Sequence, residues 1–160
     1  MNKADTLSIL RRRLKSGIVL PQQTITYKDF KNLNNKKQDI SKILKLDNDI
    51  KYVVRSSSSD EDTSIASNAG KYESFINVDT SDICDAIARV FASYSSLSLD
   101  DIVLIQPYLH SSLRSGVVFS HNPNNGMPYL IDNYVLSNKT NEITSGISHG
   151  FKHVCFLCVF

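Results

Sequence analysis

The sequence predicts an α+β fold, in which a mixed lobe of helices and strands is followed by the start of an antiparallel sheet. One observation is a stripe of apolar residues at helical spacing over residues 80–95, which indicates a strong helix. The other is a change of pattern from residue 101, where short apolar runs alternate with turn-forming residues, as in antiparallel strands. We therefore expect an N-terminal lobe at residues 1–100 and the beginning of a sheet lobe at residues 101–160.

Helices and strands are both expected in the first lobe. Helices are predicted where apolar residues recur every three or four positions, and strands where a short apolar run lies between turn residues. The expected elements are a helix at 4–16, a short strand at 18–21, a helix that begins within 26–30, one or two helical turns around 40–46, strands at 50–55 and 72–78, and the helix at 80–95. Thr80 or Ser81 is expected to cap the last of these helices.

The second lobe is expected to consist of strands, at residues 102–106, 117–120, 129–134 and 154–160. Residues 122–126, Asn-Pro-Asn-Asn-Gly, are a strong signal for a hairpin turn between two of these strands. Cys155 and Cys158 form a C-x-x-C pair, but the apolar residues around them indicate a buried strand. A three-residue offset on a strand points two side chains to opposite faces, so we do not interpret the pair as a metal or redox site.

Composition indicates an ordinary globular protein. The chain has 160 residues, 41% of them hydrophobic, and a net charge of +2, which gives no reason to expect nucleic-acid binding. The basic run Arg11–Arg13 with Lys15 could contact phosphate or a membrane, although a solvated helix face is the favoured interpretation. The sequence has neither an export signal nor a long apolar run, and its three cysteines are expected to stay reduced, so we expect a cytoplasmic protein.

The most informative stretch of the chain is residues 53–78. Arg55 follows an apolar strand and precedes four serines, the acidic run Asp60–Asp62 and the small-residue segment Ser67–Gly70. Arginine can contact two phosphate oxygens at once, hydroxyl and loop N–H groups can complete a phosphate cradle, and carboxylates suit Mg²⁺. The stretch therefore has the chemistry of a Mg-nucleotide site, although the same serines and acids on their own would also fit a solvated linker.

The arrangement resembles the nucleotide-binding domain of the phosphoenolpyruvate synthase and pyruvate phosphate dikinase family, an ATP-grasp group. That family carries the pattern V-R-S-S-x-x-x-E-D followed by S-x-A-G-x-[YF]-[ED]-[ST]-[FYL]-[LI]-N-V, and both halves are matched between Val54 and Val78. Weaker similarities follow at Ile105–Leu109, Ser115–Pro123, Thr144–Gly146 and, at the front, Lys3–Leu7. Among family members, the bacterial capsule glutamine kinases are the closest narrower resemblance.

The resemblance implies a partial ATP-grasp fold that binds ATP and Mg²⁺. It implies that Arg55 and Lys3 contact the ATP phosphates, with Arg55 also stabilising charge on the transferred group. Its further expected site residues are a lid at Ser67, Asn68, Ala69 and Gly70, Gln106 at the adenine edge, and Asp132 as the Mg²⁺ ligand, with Asn133 and Glu142 as alternatives. Glu61 and Asp62 are expected to orient the loop by pairing with a cation.

The family transfers phosphate from ATP to a histidine on a separate domain, in a motif like T-G-G-x-x-[SC]-H. Such a motif does not occur in this sequence, and His121 stands where the family has arginine. We therefore expect an ATP-binding module of a phosphotransferase that phosphorylates a histidine on a domain absent from this chain, as part of a longer or split protein. The alternative is a truncated, inactive remnant or an interaction module that retains part of the fold, so whether the chain is an enzyme stays open.

Overall fold

The computed structural model describes residues 2–33, 36–57, 62–63, 66–67, 72–136 and 151–156. These residues form both helices and antiparallel strands, which confirms the predicted α+β class. The chain divides into two compact units, Met1–Tyr108 and Leu109–Phe160.

Four helices and nine strands are formed by the described residues. The helices are α1 (Lys3–Arg13), α2 (Tyr27–Lys31), α3 (Lys36–Ile43) and α4 (Ile83–Ala92), the last preceded by a 3₁₀ turn at Thr80–Asp82. The strands are β1 (Gln23–Thr26), β2 (Tyr52–Ser56), β3 (Asp62–Thr63), β4 (Ala66–Ser67), β5 (Ser74–Val78), β6 (Ile102–Pro107), β7 (Ser115–Phe119), β8 (Tyr129–Val135) and β9 (Phe151–Phe156). Within these ranges, no helix is long and apolar enough to cross a membrane.

The first unit is built on a four-stranded sheet in the order β1-β6-β2-β5, with every neighbouring pair antiparallel. Strand β6 comes last in the sequence but lies inside the sheet, hydrogen bonded to β1 on one side and to β2 on the other. For this reason the two compact units divide after Tyr108, whereas the lobes expected from the sequence divide after residue 100.

Helix α4 packs on one face of this sheet, against β2, β5 and β6. The apolar stripe predicted for the helix is confirmed as core, since all six of its residues are buried: Ile83, Ala86, Ile87, Val90, Phe91 and Tyr94. The predicted caps are wrong, because α4 starts after the 3₁₀ turn without a side-chain cap. The hydroxyl of Thr80 instead donates to the Asp47 carbonyl oxygen at 3.4 Å, and that of Ser81 donates to Asp82 Oδ1 at 3.3 Å.

The strand predicted at residues 18–21 is wrong, because the chain there is irregular and Ile18 is 91% exposed. The strand that does form, β1, was missed because its sequence, Gln-Thr-Ile-Thr, has a single core residue, Ile25. Its Gln23 side chain is held by two hydrogen bonds with the backbone of Lys45, at 2.8 and 3.0 Å. The helix predicted to begin within 26–30 is confirmed, since α2 starts at Tyr27 with Thr26 as its cap.

The second unit contains a three-stranded antiparallel sheet in the order β7-β8-β9. The predicted hairpin turn is confirmed between β7 and β8, where the Gly126 N–H donates to the Asn122 carbonyl oxygen at 2.8 Å. Gly126 has a φ of 69°, a left-handed conformation that glycine adopts at little cost. Strand β9 begins earlier than predicted, and Cys158 lies outside the described residues.

Candidate functional site

The candidate site lies on the face of the first sheet that α4 does not cover. Side chains alternate between the two faces of a strand, so the core residues Tyr52 and Val54 point to one face and Arg55 to the other. On β6, Leu104 stands opposite Arg55 and therefore shares its face. On β1, Thr24 stands opposite Leu104 in the same row. We call this side of the sheet the Arg55 face.

Arg55 is partly buried and lies on β2, one of the two interior strands of the sheet. Its Nε atom is buried, and none of the described residues accepts a hydrogen bond from it. A buried donor of a charged group costs roughly 1–3 kcal/mol or more when it has no acceptor. The described residues do not offset this cost for Arg55, so a partner outside them is needed to explain why an arginine stands here. An anionic ligand oxygen at Nε would remove this cost and use the geometry that guanidinium offers to phosphate.

The start of α1 lies beside the end of β2. Asn2 caps the helix, and its Oδ1 accepts a hydrogen bond from the Asp5 N–H at 2.9 Å. The Ala4 N–H donates to Ser57 Oγ at 3.0 Å, across 53 positions of sequence. Since Lys3 precedes Ala4 and Arg55 lies two residues before Ser57, the fold brings the two predicted phosphate ligands to the same end of β2.

Ser57 has a structural role here, although the sequence grouped it with the phosphate-binding hydroxyls. It is 1% exposed, and its Oγ is hydrogen bonded to the first turn of α1. Its N–H lies 3.1 Å from both the Ile102 carbonyl oxygen and the Tyr94 Oη, which itself donates to Ile102. The Ser57 hydroxyl is therefore committed within the protein and is not a free cradle donor.

Gln106 also lies on the Arg55 face. It stands opposite Val53 on β2 and two residues beyond Leu104 on β6, and it is partly buried. Diagonal neighbours across an antiparallel pair are separated by about 7–8 Å, a distance that arginine and glutamine side chains can span. The fold thus places Gln106 beside Arg55 on one face of the sheet, while Lys3 lies near Ser57, beyond the other end of β2.

The predicted lid is described only in part. Ser67 lies on β4 and pairs with Asp62 on β3, so these residues belong to a short two-stranded ribbon. Four of the predicted residues, Glu61, Asn68, Ala69 and Gly70, lie outside the described residues. The role of this segment stays a prediction.

Asp132, the predicted metal ligand, lies in the second unit. It is partly buried on the central strand β8, paired with Val118 on β7 and with His153 on β9. Its neighbour Asn133 points to the opposite face of the strand, and Glu142 lies outside the described residues. Across the described ranges, no three Asp, Glu, His or Cys residues form a group that could hold a metal ion. The role of Asp132 in metal binding stays a prediction.

A polar groove between α1 and β1 was missed in the sequence. It has a volume of about 560 Å³ and is lined by Ser8, Arg11, Arg12, Gln22 and Thr24. The signal was present, since Ser8, Arg11 and Arg12 have the spacing that puts side chains on one helix face. The sequence favours a solvated helix face for these arginines, with a phosphate or membrane contact as the alternative, because it does not predict β1, which supplies the other wall.

A second cavity, of about 460 Å³, contains the buried thiol of Cys84. Burial raises the pKa of this thiol, and the adjacent carboxylate of Asp85 raises it further, while Lys36 and Lys37 lower it. A raised pKa leaves less of the reactive thiolate near neutral pH. Cys84 is therefore a core residue at the start of α4 and not a candidate nucleophile.

Comparison with known protein families gives a match to the pyruvate phosphate dikinase AMP/ATP-binding domain over residues 16–98. The match covers just over half of the 160 residues and includes Arg55 together with the segment that follows it. Three of the predicted site residues, Lys3, Gln106 and Asp132, lie outside the matched residues. No curated protein matches the chain, so the narrower resemblance to capsule glutamine kinases stays a prediction.

Proposed function

The chain belongs to the pyruvate phosphate dikinase AMP/ATP-binding domain family, and from this premise we propose that it is the ATP-binding module of a phosphoenolpyruvate-synthase-like phosphotransferase. In this proposal, the module holds Mg-ATP so that a phosphoryl group is transferred to a histidine on another domain or on a separate chain. Binding of ATP or AMP follows from the family. The phosphotransfer, its histidine acceptor, Mg²⁺ and the ATP-grasp geometry are our proposal.

The observation that supports this proposal most strongly is the Arg55 side chain. It lies inside the family match, and its buried Nε has no hydrogen-bond acceptor among the described residues. In phosphoryl transfer, a guanidinium next to the phosphates stabilises the charge on the transferred group. Arg55 would have this role, with Lys3 as a second phosphate contact and Gln106 hydrogen bonded to the adenine edge.

The donor chemistry of Asp132 fits a nucleotide-bound magnesium ion. Mg²⁺ is usually held by one or two carboxylates together with substrate phosphates and water, so a single carboxylate is enough. When bound, the ion would neutralise part of the phosphate charge. Asp132 would hold it, and the segment Ser67–Gly70 would exclude water from above the phosphates as a lid.

A second candidate function is a nucleotide-binding or interaction module without catalytic activity. His121 favours it, since this residue replaces the arginine of the family and is exposed, with its Nδ1 3.2 Å from Ser120 Oγ. Histidine lacks the planar, two-pronged donor geometry that arginine offers to phosphate, so it would be a weaker phosphate contact.

The decisive experiment is the thermal stability of the purified chain with millimolar Mg-ATP or AMP, for the parent, Arg55→Ala and Arg55→Lys. A ligand at about fifty times its dissociation constant stabilises the fold by roughly 2.3 kcal/mol, which raises the melting temperature by several degrees. We expect this rise in the parent and its loss in Arg55→Ala. Arg55→Lys should restore only a part, because lysine retains the charge but not the two-pronged geometry.

Arg13→Ala is the matched control, since it removes the same charge from an exposed position of α1. An equal response of the parent and Arg55→Ala to ATP would disprove the role of Arg55. The chain should also be incubated with ATP and an extract of its native cells. If it binds ATP but no histidine becomes phosphorylated, the result would favour the inactive module.

A further inference from the structure

We propose that the groove between α1 and β1 binds the phosphate group of a second small molecule, one that carries a hydrogen-bond donor beside its phosphate. This site goes beyond the proposed ATP site. It rests on the residues that line the groove and on one buried atom in its wall.

Two cations and two hydroxyls line the groove. On α1, Ser8, Arg11 and Arg12 are spaced by three and four residues and therefore lie on the same face of the helix. Neither arginine has an ion-pair partner among the described residues, and the lining includes no carboxylate. Thr24 adds an exposed hydroxyl from β1. The two guanidinium groups can only donate, and the hydroxyls of Ser8 and Thr24 can donate as well, so the groove suits an anion such as phosphate.

The wall of the groove also contains an unsatisfied acceptor. Gln22 Nε2 donates to the Ala4 carbonyl oxygen at 2.9 Å and to Ser8 Oγ at 2.8 Å, and these two bonds fix the orientation of the amide. Gln22 Oε1 is buried, and no donor for it exists among the described residues. A buried acceptor without a partner is costly, so a donor from the ligand is expected here. Beside a phosphate, that donor would be a hydroxyl or an amino group.

Two simpler explanations account for only part of these observations. Cations are favourable in the last turn of a helix, where Arg11, Arg12 and Arg13 all lie, but this effect does not depend on which side of the helix they occupy. A solvated basic face explains the exposure of the arginines but leaves the buried Gln22 Oε1 without a partner. The concave shape and the volume of about 560 Å³ also suit a small molecule better than a membrane or a nucleic-acid duplex.

The groove is distinct from the position of Arg55. Thr24 and Arg55 share a row of the sheet but are separated by Leu104 on the intervening strand β6. Two strand spacings put the backbones of Thr24 and Arg55 about 10 Å apart, and the side chain of Leu104 between them is fully buried. In this proposal the phosphate of the groove lies among Arg11, Arg12 and Thr24, apart from the anion that Arg55 would hold.

The test is isothermal titration calorimetry, in which the whole chain is titrated in turn with inorganic phosphate, ethyl phosphate and glycerol 3-phosphate. The double variant R11A/R12A removes the two groove cations, and R13A/K15A removes two charges from the same helix end outside the groove. We expect glycerol 3-phosphate to bind more tightly than ethyl phosphate, because only the former offers hydroxyls to Gln22 Oε1. R11A/R12A should raise its dissociation constant by about tenfold, as two solvent-exposed charge contacts are lost, while R13A/K15A should change it less than twofold.

Two further variants separate this site from the proposed ATP site. Thr24→Val, which removes one groove hydroxyl without a change of volume, should weaken glycerol 3-phosphate and leave ATP unaffected. Arg55→Ala should have the reverse effect, so the two sites can fail independently. Three results would each overturn the proposal. They are an equal loss of glycerol 3-phosphate affinity in R11A/R12A and R13A/K15A, a loss of phosphate binding in Arg55→Ala, and no binding of glycerol 3-phosphate to the parent at millimolar concentration.

Discussion

The hydrogen bond between α1 and the end of β2 gives the sharpest prediction about stability. Ser57 is 1% exposed, Ala4 is 5% exposed, and the Ala4 N–H donates to Ser57 Oγ at 3.0 Å. Ser57→Ala removes the acceptor and leaves the helix N–H without a partner in a buried position. Because the alanine side chain is smaller than serine, the substitution introduces no clash; it removes this hydrogen bond together with the longer one from Ser57 Oγ to Asn2 Oδ1, at 3.4 Å.

The expected cost follows from the burial of the orphaned group. An unsatisfied buried N–H costs about 1–3 kcal/mol, more than the net value of an ordinary hydrogen bond. We therefore expect Ser57→Ala to lower the free energy of unfolding by about 2 kcal/mol. With a urea dependence of about 2 kcal/mol per molar for a protein of this size, the midpoint should fall by about 1 M.

Urea unfolding followed by far-ultraviolet circular dichroism measures this change, with Ser96→Ala as the control for loss of an exposed hydroxyl. In Ser57→Ala we also expect faster hydrogen exchange of the α1 amides, because this helix can then detach while the sheet stays folded. If Ser57→Ala differs from Ser96→Ala neither in the unfolding midpoint nor in exchange from α1, the Ser57 hydroxyl does not hold the helix.

Three other predictions concern the sheets and the thiol. Asn77 has a φ of 59° at the irregularity between β2 and β5, so Asn77→Val should cost about 1–2 kcal/mol in urea unfolding and Asn77→Gly close to nothing. A Cβ on Gly116 would lie 2.3 Å from the Asn133 carbonyl oxygen, so Gly116→Ala should speed amide exchange across β7 and β8, and unchanged exchange would contradict the close approach. With Cys155 and Cys158 replaced by serine, Cys84 should react with iodoacetamide at pH 8 far more slowly than in urea. Burial raises the pKa of Cys84 in the folded protein, so the thiol of the unfolded chain ionises first as the pH rises past its ordinary pKa of 9.0. Ionisation then favours the unfolded chain, and the free energy of unfolding should fall above this pH.

The sequence predicts those elements whose burial leaves a regular apolar pattern. Helix α4 has such a pattern, since one stripe of it faces the sheet and is buried along its whole length. Strand β1 does not, because it lies at the edge of the sheet and contributes only Ile25 to the core. The interior position of β6 could not be predicted either, since the order of strands in a sheet depends on long-range pairing that periodicity does not contain.

The candidate site divides in the same way. Arg55 was predicted from a local motif, and the motif lies within a single strand and the residues that follow it. The groove on α1 combines residues from a helix and a strand that meet only in the folded protein. Local chemistry can be recognised in a sequence, whereas a wall that two distant segments share requires the fold.

The motif Val54-Arg55-Ser56-Ser57 also shows why residue type alone does not assign a role. Arginine and serine are both phosphate ligands, and at the end of a strand either could bind ATP. In the fold, however, Ser57 Oγ already accepts a hydrogen bond from α1, while Arg55 Nε has no acceptor among the described residues. A phosphate that recruited Ser57 would compete with Asn2 Oδ1, in the cap of α1, for the hydroxyl proton, and would so loosen the helix that carries Lys3. Ser57 thus positions α1, and among the described residues Arg55 Nε is a buried donor without an acceptor, as the proposed phosphate contact requires.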